Sequence, residues 1–280
     1  MAKILHCLPD DEAAQARDVI RLAQENFWAD WAPWRCGLAG EGKPGFDDVM
    51  RFLPGTGPFA RDFVNPQKGD LVVDLFGGTG TLATYFTAEQ RRTMAGYITI
   101  DQNGQLKQTA EAIIGKAGVR NGHFLAQDLG RGLPSEIRNV IRKIDPDQVL
   151  FVSNFGMTYL PAQEFQQLAG DCFSPEFTLG RPTTLNIHML RDGRFDPVSC
   201  KEHFMSEIVP RNILKSPAAV VRAIRAVKRM TQFGFDVQDV NPVWYPRETT
   251  RFLTEIGLSV IRRDETLVWG QSIAMEAVPA

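Results

Sequence analysis

Short apolar runs alternate with helical segments from Gly69 onward, and this alternation limits the folds open to the chain. Five runs have the length and composition of strands, and each of the first four is followed by a segment with helical spacing of its apolar residues. Strands separated by helices at this pace form a parallel sheet with helices on both faces, and ligands bind beyond the carboxyl ends of such strands. The predicted strands are residues 71–76, 96–101, 123–129, 148–155 and 183–190, and the first predicted helix is residues 81–93.

Three regions depart from the alternation. Residues 1–66 read as a helix, a cluster of aromatic residues and a segment rich in glycine and proline. Residues 191–244 form a long insertion after the fifth strand, with a helix beginning at Pro217. The tail then reads as a helix, a strand, a turn at Asp264–Thr266 and a last strand, and two strands joined by a tight turn are antiparallel. We therefore predict a domain at 67–280 with an insertion at about 191–244, preceded by a segment 1–66.

Composition restricts the partners and the compartment. The net charge is −2, from 31 basic and 33 acidic residues, which argues against a broad nucleic-acid interface. The four cysteines are scattered without metal-ligand spacing, which favours a reduced protein without a metal site. No apolar run has the length of a membrane span, and the N-terminal one is too short for a signal peptide. These features predict a cytoplasmic protein; the oligomeric state stays open, a homodimer included.

Three glycines and three aspartates follow the first three strands. Gly77, Gly78 and Gly80 lie within four residues, more than a tight turn needs, so a ligand is expected to approach the backbone there. One aspartate lies at the end of each of the first two strands, and another follows the apolar part of the third. Such aspartates often cap turns or helices, so this structural role is the alternative to ligand binding. The aspartates are Asp74, Asp101 and Asp128.

This order of features resembles the class I S-adenosylmethionine-dependent methyltransferases, over about residues 68–277. The resemblance implies an α/β fold: a seven-stranded, mostly parallel, doubly wound sheet of order 3-2-1-4-5-7-6 with an antiparallel C-terminal hairpin. It also implies S-adenosyl-L-methionine as the cofactor, and a helical cover built by residues 1–66 and 191–244 over the acceptor pocket.

The resemblance assigns the cofactor contacts. The glycine loop would lie against the methionine part, Asp74 near the amino group, Asp101 on both ribose hydroxyls and Asp128 on the adenine amine. The full set it implies is Asp74, Phe76, Gly77, Gly78, Thr79, Gly80, Asp101, Gln102, Asp128, Leu129 and Asn154.

The acceptor region is less defined. The segment after the fourth strand, SNFGMTYLP, lacks the paired prolines of adenine-amine methyltransferases, and Cys172 is too distant to serve as the cysteine of cytosine-ring methyltransferases. Asn154 and Tyr159 are candidates for acceptor positioning or weak acid–base work, and His203 in the insertion is a third candidate. His188, on the fifth strand, is interpreted as a core histidine with satisfied hydrogen bonds.

The leading expectation is methyl transfer to a nitrogen, oxygen or sulfur atom of a small molecule. Three alternatives stay open: cyclisation or cleavage of the cofactor with release of methylthioadenosine, methylation of nucleic acid, and a non-catalytic cofactor-binding subunit. The products formed from the cofactor discriminate between them.

Overall fold

The computed structural model describes residues 56–157, 160–191, 197–227, 244–265, 267 and 272–280. The predicted aromatic cluster near the N-terminus and Tyr159 lie outside these ranges. The chain divides into two compact units: the described part of one lies within residues 56–191 and 244–280, and the described part of the other is residues 197–227. The role of residues 1–66 and 191–244 as a cover stays a prediction.

The larger unit contains one seven-stranded sheet in the order β3-β2-β1-β4-β5-β7-β6. Strands β1 to β5 are parallel, whereas β7 is antiparallel to both β5 and β6. The order and the antiparallel hairpin confirm the predicted fold. The strands are β1 Asp70–Leu75, β2 Gly96–Asp101, β3 Gly122–Ala126, β4 Gln148–Asn154, β5 Thr183–Leu190, β6 Leu258–Asp264 and β7 Ser272–Pro279.

A three-residue helix, Thr56–Pro58, precedes the sheet. Helices connect the parallel strands, and further helices follow β5. From β1 onward they are α1 Ala88–Thr93, α2 Lys107–Ala117, α3 Glu136–Ile144, α4 Ala162–Phe173, α5 Pro175–Thr178, α6 Pro197–His203, α7 Val209–Asn212, α8 at residues 217–227 and α9 Pro246–Glu255. Of these, α6 to α8 belong to the smaller unit.

The core is centred on β1, whose six residues are all buried. A central strand of a parallel sheet is covered on both faces, which explains the apolar run Leu71–Val73 within it. A π-helical turn, Phe59–Val64, also packs into this core through Phe59 and Phe63. Residues 59–64 are therefore part of the sheet unit.

The predicted helix at residues 81–93 is wrong in one respect, because the chain forms two helical segments there. A 3₁₀ turn covers Thr81–Tyr85, and Phe86 is extended with ψ of 150°. Thr87 then begins α1 with a capping box, in which its hydroxyl accepts from the N–H of Gln90 and the Gln90 side chain accepts from the N–H of Thr87. This reciprocal cap satisfies two backbone N–H donors locally, so a new helix can begin inside an apolar pattern.

The described part of the smaller unit is helical. Helix α8 buries Val220, Ala223 and Val227, while Arg225 is exposed. Among the helices of the described ranges, none combines the length and apolar character needed to cross a membrane.

Candidate functional site

The loop after β1 turns sharply at the carboxyl edge of the sheet. Phe76, Gly78 and Gly80 all have positive φ angles, of 59°, 56° and 67°. Phe76 was predicted to continue the strand, but its left-handed backbone ends it, and the strand stops at Leu75. This conformation is unusual for a bulky residue. The loop is therefore a specific structure, not a flexible connection.

Gly77 is needed for close packing beneath this loop. A Cβ atom on Gly77 would overlap with the side-chain oxygens of Asp74 and Thr99, closer than real Cβ atoms approach other atoms. The Gly77 N–H also donates to the carbonyl of Ile100 at 3.1 Å. The absent side chain thus lets the loop lie directly on the ends of β1 and β2.

Asp101 joins the glycine loop to the end of β2. Its Oδ2 accepts from the N–H of Gly78 at 3.0 Å, and its Oδ1 accepts from the N–H of Asn103 at 3.0 Å. The predicted structural role, in which the aspartate organises a turn, is therefore present. The same two bonds fix the carboxylate at the edge where a ligand is expected.

Asp74 is buried at the end of β1, and Tyr97 of β2 donates its hydroxyl hydrogen to Asp74 Oδ2. Burial, followed by the neighbouring carboxylate, raises the pKa of Tyr97 well above its usual range. The phenol is therefore a permanent donor. Sequence reasoning missed Tyr97, because only the parallel register of β1 and β2 brings the two side chains together.

Asp128 caps the turn that follows β3. Its Oδ1 accepts from the N–H of Gly130 at 3.0 Å, and its other oxygen lies 3.4 Å from Nε of Arg131. Leu129 beside it is buried. The strand was predicted to run to residue 129, but β3 ends at Ala126, so Asp128 and Leu129 follow it and Asp128 caps the next turn.

Two further loop residues were assigned to the cofactor. Thr79 is buried, and its hydroxyl lies 2.8 Å from that of Thr81. Gln102, which follows β2, is exposed. Both lie on the loops at the carboxyl edge, and their contact with a ligand stays a prediction.

A chain of polar side chains crosses β4, β5 and β7 at the same edge. Asn154 Oδ1 is 2.7 Å from His188 Nδ1, and His188 Nε2 is 2.7 Å from Ser272 Oγ. His188 is fully buried, and desolvation lowers its pKa to about 3. The interpretation of His188 as a satisfied core histidine is confirmed. Ser272 was missed, because it is 84 residues away in sequence.

Comparison with solved structures identifies the architecture. A SAM-dependent methyltransferase from Aquifex aeolicus superimposes with a TM-score of 0.50 at 15% identity, over 84% of this chain and 95% of its own. A SAM-dependent methyltransferase from Anabaena variabilis matches with a TM-score of 0.50 at 12% identity, over 92% and 94%. The chain has the class I methyltransferase fold.

A third similar structure, the mitomycin 7-O-methyltransferase MmcR, matches with a TM-score of 0.50 at 13% identity, over 84% of this chain. The chain spans 55% of the length of that protein. No protein-family model and no curated protein sequence matches the chain. Since these identities are 12–15%, the likeness concerns the methyltransferase fold.

Within this methyltransferase fold, the aspartates and the glycine loop lie together at the carboxyl ends of β1, β2 and β3, with Asn154 at the end of β4. His203 closes α6 in the smaller unit and is half-buried. In the ranges that the structure describes, no group of three or more His, Cys, Asp or Glu residues is arranged to hold a metal ion.

Proposed function

We propose that this protein binds S-adenosyl-L-methionine and transfers its methyl group to a small-molecule acceptor. The observation that supports the proposal is the bond between the Asp101 carboxylate and the N–H of Gly78, in a chain with the methyltransferase fold. This hydrogen bond holds the Asp101 carboxylate beside the glycine loop, at the edge where such sheets bind ligands.

The chemistry of the residues fits the cofactor. A carboxylate can accept several hydrogen bonds, and the N–H groups of Gly78 and Asn103 both donate to Asp101 and hold it in place. A ribose diol offers two hydroxyl donors, so Asp101 would hold the ribose. Asp74 would face the amino group, and Asp128 with Leu129 would adjoin the adenine. Residues 76–80 would hold the methionine part.

The bound cofactor would supply a methyl group on a sulfonium, which is a good leaving group. The protein would then contribute mainly alignment of the acceptor with the methyl carbon. Asn154 is the candidate at the end of β4 for that positioning, and Tyr159 and His203 remain predictions for the same role. A general base is optional for an acceptor that loses its proton easily.

The products distinguish this reaction from its alternatives. The purified protein is incubated with S-adenosylmethionine alone, with an extract of small metabolites, and with DNA or RNA. S-adenosylhomocysteine formed only with the extract supports the proposal. Methylthioadenosine formed without any acceptor would show that the cofactor itself is the substrate, and label in nucleic acid would contradict a small-molecule acceptor. Asp101→Ala serves as the binding-deficient control.

A further inference from the structure

The hydrogen atoms of the Asn154–His188–Ser272 chain can be assigned from its geometry. The Ser272 hydroxyl carries one hydrogen, and its contact in the described part of the chain is His188 Nε2 at 2.7 Å. Ser272 is fully buried. A hydroxyl hydrogen without an acceptor there would destabilise the folded protein by its full desolvation free energy. The Ser272 hydroxyl therefore donates its hydrogen to His188 Nε2, which must carry no hydrogen of its own.

This assignment determines the other end of the chain. A neutral imidazole with a bare Nε2 carries its hydrogen on Nδ1, and that hydrogen then points to an acceptor. The atom of Asn154 at 2.7 Å is accordingly the carbonyl oxygen Oδ1. The opposite orientation would put the amide nitrogen against Nδ1, move the ring hydrogen to Nε2 and leave the serine hydrogen without an acceptor.

The surroundings keep the ring neutral and immobile. The rings of Phe59 and Phe155 lie 4.7 Å and 4.3 Å from the His188 ring. Desolvation holds the pKa of His188 at about 3, and the Asp264 carboxylate opposes this shift only in part. The ring therefore stays neutral near neutral pH, and the direction of its two hydrogen bonds is fixed by the tautomer.

We propose that His188 and Ser272 are positioning residues that hold the Asn154 carboxamide with its nitrogen as the group offered to the acceptor molecule. Asn154 is half-buried, and its nitrogen makes no hydrogen bond with any residue of the described ranges. The matching ligand is an oxygen with a lone pair, as in a carboxylate, carbonyl or phenol, and an ammonium group is disfavoured. This inference rests on the proposed function.

Aromatic residues next to Asn154 favour an aromatic ligand. Phe155 follows it, and Phe76 packs so closely on Gly156 that a Cβ atom on this glycine would overlap with the Phe76 side chain. Both phenylalanines are partly exposed. Benzoate is therefore a suitable probe, and benzylammonium, which carries a donor in place of the acceptor, is its matched control.

The first experiment reads the imidazole directly, by nitrogen NMR of ¹⁵N-histidine protein with the His188 resonances assigned by a His188→Gln variant. The expected signature is a protonated Nδ1 and a bare Nε2. A protonated Nε2 would overturn the inference. Ser272→Ala should allow the second tautomer to appear, whereas Ser259→Ala, on β6, should leave the wild-type spectrum.

The second experiment tests the ligand class on protein saturated with S-adenosylhomocysteine. Benzoate should shift the side-chain amide signal of Asn154, and Asn154→Asp should weaken benzoate binding by about tenfold or more. The aspartate keeps an acceptor for Nδ1 but replaces the donor with an oxygen. A response to benzylammonium, or to neither probe, contradicts the ligand class.

The two proposals can fail separately. If the wild-type protein binds no S-adenosylhomocysteine, the proposed function is wrong. The tautomer experiment still determines the orientation of Asn154 in that case. If Asn154→Asp loses S-adenosylhomocysteine instead of benzoate, Asn154 contacts the cofactor, and its assignment to the acceptor is wrong.

Discussion

Tyr97 donates a hydrogen bond to Asp74 across two neighbouring parallel strands, directly beneath the glycine loop. Both side chains are buried. The phenol therefore supports the one carboxylate that the resemblance assigns to the amino group of the cofactor, and its removal tests that assignment from outside the loop.

We expect Tyr97→Phe to lower the free energy of unfolding by about 1–3 kcal/mol, because a buried carboxylate loses a donor. Affinity for S-adenosylhomocysteine should fall as well. The measurement is a double-mutant cycle with Asp74→Asn, read by urea unfolding and calorimetry. Energies that add without any coupling would show that the bond contributes nothing.

Asp101→Ala should weaken binding of the cofactor. Each lost hydrogen bond to a charged group costs about 1.5–3 kcal/mol, so two ribose contacts correspond to at least a hundredfold loss in affinity. Calorimetry with S-adenosylhomocysteine measures this loss of affinity. The control is Glu111→Gln, on the exposed part of α2. Wild-type affinity in a folded Asp101→Ala protein would rule the assignment out.

Two glycine substitutions should have opposite effects. Gly77→Ala introduces a methyl group against Asp74 and Thr99, and overpacking of this kind costs about 1–3 kcal/mol. Gly115→Ala, inside α2, meets no atom within 4 Å and should stabilise the protein by about 1 kcal/mol. Thermal unfolding of both variants checks the signs. Equal effects would contradict the packing described beneath the loop.

His188 should add to acid sensitivity. Its pKa is about 3 in the folded protein and about 6.5 in the unfolded chain, so between these values the unfolded chain binds the extra proton. Stability contributed by the neutral ring is complete above about pH 6.5 and declines as the pH falls, by up to about 1.4 kcal/mol per pH unit.

The comparison that isolates this effect uses His188→Gln, which keeps hydrogen-bonding groups but does not titrate. Urea unfolding between pH 4 and pH 6 should show a shallower loss of stability for this variant than for the wild type. His123→Gln on β3 is the control, since the pKa of His123 is also lowered but its ring is only partly buried. Parallel pH profiles for His188→Gln and the wild type would contradict the prediction.

The alternation of strands and helices was predictable because periodicity is a local property. The order of the sheet followed from the resemblance and is confirmed. The break at Phe86 was not predicted, because the capping box of Thr87 and Gln90 is a short signal inside a pattern whose apolar spacing favours one helix. The end of β1 at Leu75 was missed for a similar reason: Phe76 is a good strand residue in composition, but it adopts a left-handed conformation that composition does not reveal.

The aspartates show why capping and ligand binding were hard to separate from sequence. Asp101 and Asp128 both cap turns in the structure, and the caps hold the carboxylates at the ligand edge. The polar partners of the site were beyond sequence reasoning, because Tyr97 and Ser272 meet Asp74 and His188 only through strand register. A local sequence pattern does not show which strands become neighbours in the sheet.

The position of Ser272 on β7 has a consequence for the order of folding. Its bond to His188 joins residues 84 apart, and contacts at such separation form after local ones because the intervening chain must first be closed. Strand β7 also enters the sheet between β5 and β6, antiparallel to both. The bond of Asn154 to His188 forms only when β5 lies beside β4, and Ser272 joins His188 only when β7 lies beside β5, so the side-chain contacts of Asn154 depend on pairings between distant parts of the chain.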